Sequence, residues 1–310
     1  MSVENPYKDG IAFCEGEFVP VAEARIPMLD WGFLRSDAVQ DTVSVFHGAF
    51  FRLEDHLVRF ERNWSRLRMT NPYDRDTVRS ILMEAVRRTG FREAYAQMLM
   101  TRGRAPIGSR DVRLANNQFW MFCIPYVWIA KPDQKEQGLS MHVSDIQRVP
   151  KESVDPTIKH YHWLDLQMAL MEGYDRGSDT CAVVDRDGNI SEGPGFNIFA
   201  VKDGRITTLP EDVCLDGMTR NTVFKLAKET NLEIMAEALP ADDLRKADEV
   251  FISTTGGGVI AISKVDGQAI GNASAGPVTR RIDDLYWSRR RDGWLSSPVD
   301  YDAGLVFEPK

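Results

Sequence analysis

The chain has 310 residues, 43% of them hydrophobic and 27% charged, with a formal net charge of −8. That length exceeds one ordinary core and predicts two domains of a water-soluble globular protein. An acidic balance without a long basic block argues against a nucleic-acid partner. No apolar run nears the roughly 20 residues of a membrane helix, which argues against a membrane partner.

The opening residues Met1 to Gly10 have neither a basic start nor an apolar core, so no signal peptide is expected. Cys14, Cys123, Cys181 and Cys214 lie far apart with no C-x-x-C pair, and they read as free thiols of a reducing, cytoplasmic setting. The five histidines form no metal constellation, so no metal is expected.

Ile11 to Cys14 and Glu17 to Val21 read as strands about Gly16. Asp41 to Phe46 and Ala49 to Arg52 read as a hairpin turning at His47-Gly48. Leu53, Leu57, Phe60, Trp64 and Leu67 recur at steps of three and four and predict an amphipathic helix. Arg59 lies off that apolar stripe, free to point elsewhere. A second helix is expected from about Asp74 to Arg88, then strands near Tyr95–Thr101 and Gln118–Val127 around a polar loop, Arg102 to Asn116. The polar stretch Lys131 to Gly138 breaks the pattern and sets the expected boundaries: a small domain over 1–128, a linker over 129–137 and a large domain over 138–310.

Leu139–Val143 reads as a strand and Tyr161 to Tyr174 as an apolar-rich helix. Thr180–Asp185 and Ile190 flank an Asp187-Gly188 turn, a hairpin signal. Phe196–Val201 and Arg205–Thr208 form another, followed by a helix from about Thr219 to Glu229. Val250–Ser253 and Val259–Ser263 are short strands around a glycine cluster, and a last helix spans roughly Pro277 to Arg290. The weakly patterned tail after Gly293 is expected to be partly disordered. Helices and strands alternate without a regular β-α-β rhythm, which predicts an α+β fold.

Four short segments combine residues that chemistry uses. Val154-Asp155-Pro156-Thr157-Ile158-Lys159 places a lysine just before the predicted helix at 161, where the helix dipole disfavours a cation. Ser191-Glu192-Gly193-Pro194-Gly195-Phe196-Asn197 joins a carboxylate to glycines that let backbone approach a flat ligand. Leu215-Asp216-Gly217-Met218-Thr219-Arg220 opens a helix whose free N–H groups can seat a phosphate. Ser253-Thr254-Thr255-Gly256-Gly257-Gly258 combines hydroxyls with unhindered N–H groups, a second anion nest. Taken singly, each has a plainer reading: a solvated lysine, a bulged strand entry, an ordinary N-cap, a surface loop.

In this order and spacing the four segments resemble the fold-type IV pyridoxal-phosphate (PLP) enzymes. That group includes branched-chain aminotransferases, D-amino-acid aminotransferases, aminodeoxychorismate lyases and (R)-selective amine transaminases. The interval from Lys159 to Glu192, the pattern E-G-x-G-x-N at Glu192 to Asn197, and Leu53-Glu54-Asp55-His56-Leu57-Val58-Arg59 carry the resemblance, which runs from about residue 10 to 290. It is closest to the (R)-selective amine transaminases at Phe50 to His56, Thr101-Arg102-Gly103, Pro125 to Trp128, Glu192 to Asn197 and Thr255 to Val259. The chain departs from that subgroup at Arg35 and Gln40, which flank Ser36-Asp37 where a histidine and a tyrosine are usual.

The resemblance implies a small N-terminal α/β domain, a larger C-terminal pseudo-barrel domain and a homodimer with active sites at the interface. It implies PLP as cofactor, held by Lys159 as a Schiff base, by Glu192 at the pyridine nitrogen, by Arg59, Met218, Thr219, Thr254 and Thr255 at the phosphate, and by Trp163 at the cofactor edge. It places Arg35 and Gln40 near substrate. An arginine in the polar loop is expected to bind the substrate carboxylate, Arg110 first and Arg104 second, with Arg35 a third choice. The implied reaction moves an amino group from an (R)-amine or amino acid to a keto acid such as pyruvate. D-amino-acid or branched-chain amino-acid transamination and an aminodeoxychorismate-type lyase are the alternatives.

Overall fold

The computed structural model describes residues 7–304, leaving aside the side chains at 132 and 133. The described residues divide into two compact units: 7–127, 158–161 and 293–304 in one, 128–157 and 162–292 in the other. Two short segments therefore leave their neighbours in sequence and join the first unit. Both helices and sheets build each unit, an α+β architecture.

Among its described residues the first unit has one seven-stranded sheet. Its order is Ser296–Pro298, Ala49–Phe51, Ala38–Phe46, Ala94–Arg104, Asn116–Pro125, Ile11–Cys14 and Glu17–Pro20. Every neighbouring pair is antiparallel. Val39, Val43, Met98 and Met100 share one face and pack with Leu57 and Phe60 of the Leu53–Arg66 helix and Ile81 and Leu82 of the Arg75–Thr89 helix. Asp74 caps the second of these by accepting from the Thr77 N–H, as its short side chain is suited to do. Part of the tail is ordered, against its weak patterning: Ser296–Pro298 pairs with Ala49–Phe51, because that strand offers an open edge, while residues 305–310 lie outside those described.

The second unit holds a mixed sheet. Its path is Ile234–Ala236, Arg205–Thr208, Asn197–Lys202, Glu249–Thr254, Gly258–Val265, Leu139–Gln147, Thr180–Val184 and Ile190–Glu192, with Gln268–Ala269 paired to Gly258–Val265. Ile198, Ile252, Ile260, Ile262 and Met141 fill its core. The polar stretch after Lys131 is not a bare linker. Pro132–Gln137 forms a short helix, with proline in its first turn and the Gln134 side chain accepting from the Lys131 N–H. The helix expected from Tyr161 begins only at Leu164, because residues 158–161 are drawn into the first unit's sheet. No helix among the described residues is long and apolar enough to cross a membrane.

Candidate active site

Lys159 is held by its backbone. The Gln40 N–H donates to the Lys159 carbonyl at 2.8 Å, and His160 makes an antiparallel bridge with Val39. Directly opposed residues of an antiparallel pair point to the same side, and successive residues alternate. His160, 6% exposed, therefore turns with Val39 toward the core, while Lys159 and Tyr161 turn to the face of Gln40 and Thr42. Contrary to the position expected from sequence, Lys159 does not start the helix: four residues lie between it and Leu164, so it is outside the reach of the helix dipole.

The sheet positions on the face that carries Lys159 are uncharged. Thr42 Oγ1 lies 3.1 Å from Gln40 Oε1 and 3.2 Å from Gln97 Oε1, and Gln97 Nε2 donates to the Tyr161 hydroxyl at 2.8 Å. The opposite face holds the buried charges. Arg59 grips Asp41 through Nε at 2.7 Å and Nη2 at 2.8 Å, and His56 Nδ1 lies 2.7 Å from the same carboxylate. Burial alone would raise the Asp41 carboxyl, but the Arg59 and His56 charges and hydrogen bonds hold it well below the usual carboxylate range. Burial drives the His56 imidazole below its ordinary value against the pull of Asp41. Arg59 is thus not free to point elsewhere. A helix position off the apolar stripe is buried here because Asp41 stands opposite it.

In the second unit Glu192 ends the Ile190–Glu192 strand and is 8% exposed. Arg148 donates to it through Nε at 2.9 Å and through Nη1 to Asp165 at 2.7 Å. Asp165 also accepts from the Val149 and Leu166 N–H groups at 2.8 and 2.9 Å. Burial would raise its carboxyl, and these donors with Arg148 keep it low. Arg148 and Asp165 escaped the sequence reading. Their signal was faint: an arginine ahead of Pro150, and an acid in the first turn of a helix.

The glycine segments converge on a cradle. Asn197 Nδ2 donates to the Leu215 carbonyl at 2.8 Å. A Cβ on Gly217 would lie 2.1 Å from Asn197 Oδ1, so only glycine fits there. Gly217 is the N-cap of the Met218–Glu229 helix and has no side chain of its own to cap it, and Met218 and Thr219 form the first turn, where backbone N–H groups suit an anion. The helix starts one residue earlier than its sequence pattern predicts. Thr254 Oγ1 donates to the Gly195 carbonyl at 3.0 Å and accepts from the Gly256 N–H at 3.3 Å, tying two glycine turns together. Gly195 has φ +88°, and a Cβ there would reach 3.4 Å from the Trp163 ring. Trp163 is half-buried against Leu166 and Cys181. Thr255 is half-buried in the turn that follows Thr254.

The candidate substrate residues are dispersed. Gln40 lies beside Lys159. Arg104 ends the Ala94–Arg104 strand and lines a cavity of about 700 Å³ with Glu15, Asp30, Tyr73 and Asn116. Arg110 is exposed in the loop, and Arg35, also exposed, stacks over Trp31 at 3.7 Å.

These residues suit PLP. A helix start opened by a glycine fits a phosphate, and a buried carboxylate braced by arginine fits a pyridine nitrogen. Beside the cradle, opposite Asn197, the buried Ser253 hydroxyl lacks a partner among the described residues.

Comparison with known proteins agrees. Residues 38–265 match the family described as amino-transferase class IV. The chain is 28% identical over 275 residues to a putative branched-chain-amino-acid aminotransferase of Methanocaldococcus jannaschii, covering 88% of this chain and 94% of that one. It is 28% identical over 269 residues to D-alanine aminotransferase of Bacillus licheniformis, covering 86% and 92%. Among solved structures it resembles a T.th. branched-chain amino acid aminotransferase complexed with N-(5'-phosphopyridoxyl)-L-glutamate, with TM-score 0.86 and 28% identity over 94% of this chain and 99% of that one.

Proposed function

The chain belongs to amino-transferase class IV, and on that premise we propose that this PLP-dependent aminotransferase takes its amino group from an apolar α-amino acid and gives it to a 2-keto acid. The amino donors its relatives are named for, branched-chain amino acids and D-alanine, set the candidates. The observation that carries the proposal is the character of the Lys159 face. Leu99, Trp120, Phe122 and Ile124 stand in register with Gln40, Thr42 and Gln97, and none of these side chains is charged. Such a surface suits an apolar side group.

When bound, PLP supplies an electron sink for the carbanion left by proton removal. Lys159 would hold the cofactor and then take the substrate's α proton and return it, since an amine serves as both base and acid. Glu192, braced by Arg148, would hold a proton on the ring nitrogen. The Met218 and Thr219 N–H groups, with Thr254, Thr255 and Arg59, would hold the phosphate, and Trp163 would border the ring. Arg59 would act there while remaining tied to Asp41. We place the chain in a homodimer, which sedimentation at the mass of two chains tests.

A second reading, an (R)-amine donor, draws on the same neutral face, because a carboxylate-free amine needs no cation beside Lys159. One panel separates them. L-leucine, L-valine, D-alanine and the (R)- and (S)-forms of 1-phenylethylamine are each offered with 2-oxoglutarate or pyruvate, and the amino acid formed is measured. Amino-acid donors should react faster than either amine. Turnover with the (R)-amine alone would establish the second reading, and no amino transfer with any donor would overturn both.

A further inference from the structure

Lys159 and Tyr161 lie two residues apart on one extended segment, so their side chains share a face. The strand register extends that face across Gln40, Thr42 and Ser44, then Tyr95, Gln97 and Leu99, then Trp120, Phe122 and Ile124. None of these sheet positions carries a charge. Asp30 reaches the same face from a preceding loop, where its carboxylate is engaged by the Thr101 hydroxyl at 2.7 Å.

Hydrogen-bond direction matters on such a surface. The Gln97 amide oxygen faces the Thr42 hydroxyl at 3.2 Å, which turns the amide nitrogen to the Tyr161 oxygen at 2.8 Å. A phenol oxygen that accepts from the amide must direct its own proton elsewhere. Gln97 thus leaves the Tyr161 proton to an acceptor other than itself. Burial pushes the Tyr161 phenol above its ordinary value, so it stays protonated at any working pH.

We propose that the Tyr161 hydroxyl, oriented by Gln97, is the donor that binds the carboxylate of the substrate on the Lys159 face. Tyr161 is then a substrate-binding residue and Gln97 a positioning residue. A neutral donor on an apolar face also suits a transferase that must admit a charged group in one arrangement and an apolar group in another. The inference rests on the transaminase reading only in naming the ligand as a substrate.

The test uses the PLP-loaded enzyme and a non-reacting acid, 4-methylvalerate, with 4-methylpentan-1-ol as its uncharged counterpart. Binding is measured by calorimetry, and amino transfer from L-leucine and D-alanine is measured alongside. Tyr161→Phe, which keeps the ring and its packing, should weaken the acid about tenfold or more, because a bond to a charged acceptor is lost. The alcohol should weaken less than about threefold. Gln97→Met should weaken the acid by an intermediate factor. Gln97→Glu should be worse than Met, because an ionised carboxylate accepts the phenol proton and turns it inward, whereas a purely structural role would make the near-isosteric glutamate the milder change. Acid binding unchanged in Tyr161→Phe, in an enzyme that still transfers amino groups, overturns this inference and leaves the function standing. A wild type that binds the acid through Tyr161 but transfers no amino group overturns the function and leaves this inference standing.

Discussion

The two units hold their key residues in different ways. In the first, the backbone presents Lys159 through one hydrogen bond to Gln40 and one bridge at Val39, beside sheet positions that carry no charge. In the second, Glu192 sits in a buried chain of charges with Arg148 and Asp165. The Arg148 guanidinium thus sits between two carboxylates, Glu192 and Asp165. The first unit does hold a buried ion cluster, Asp41 with Arg59 and His56, but on the opposite face of the same sheet.

The largest effect tests the backbone presentation of Lys159. Lys159→Ala removes the amine and leaves the Gln40 bond and the Val39 bridge in place. Turnover should fall by about 10²–10⁴-fold or more, while the melting temperature stays close to wild type. Steady-state transamination retained in this variant would remove Lys159 from its role. A large loss of stability would show that its side chain, not its backbone, anchors the segment.

Next comes the buried cluster on the core face. Asp41→Ala strands Arg59 without its bidentate partner, at a cost of about 3–5 kcal/mol. Acid should reveal the same cluster in the wild type. Asp41 and His56 both have folded values below their ordinary ones, so the unfolded chain binds more protons and stability rises with pH. The His56 contribution is present above about pH 6.5 and fades as pH falls below it. The Asp41 contribution is present above about pH 4 and fades below that. Thermal melts from pH 7.5 to pH 3 should show both declines, and His56→Gln should abolish the upper one. An unchanged profile between pH 7 and pH 5 in that variant would mean another group titrates there.

Glu192→Gln probes the charged side of the comparison. It keeps the shape and removes the charge, while Arg148 retains Asp165. Loss of a charge-assisted hydrogen bond is worth about 1.5–3 kcal/mol, so turnover should drop roughly tenfold to a hundredfold with PLP still bound. Equal turnover would show that another group protonates the ring.

What was legible in the sequence follows the same divide. Glycine motifs were readable because local geometry demands them: Gly217 cannot carry a Cβ against Asn197, and Gly195 holds a positive φ. Amphipathic helices such as Leu53–Arg66 were readable from period alone. The presentation of Lys159 was not, because an edge that captures residues 158–161 lies about 120 residues earlier in the chain. Arg148 and Asp165 were hidden for a similar reason: an ion pair is a fact of tertiary contact, and each partner alone looks like an ordinary surface charge. Arg59 misled in the same way, since helical period alone gives no hint of the acid waiting on the strand opposite.

The smallest effect belongs to the loop arginines, and it sharpens the contrast between a neutral face and a charged partner. Arg110 and Arg104 are both exposed, although Arg104 borders the cavity shared with Asp30 and Tyr73. An exposed ion pair contributes roughly 0–1 kcal/mol and is screened by salt, which limits either arginine to about a fivefold rise in the KM for pyruvate. Arg110→Ala and Arg104→Ala should stay within that bound, and the rise should shrink as salt is added. The KM for a carboxylate-free amine should not change. The contribution of a half-buried donor such as Tyr161 should be larger and less sensitive to salt, because it is less screened than a loop arginine. A rise well above tenfold in Arg110→Ala, with no effect in Tyr161→Phe, would place the carboxylate with the loop. The neutral face would then serve only the apolar side group.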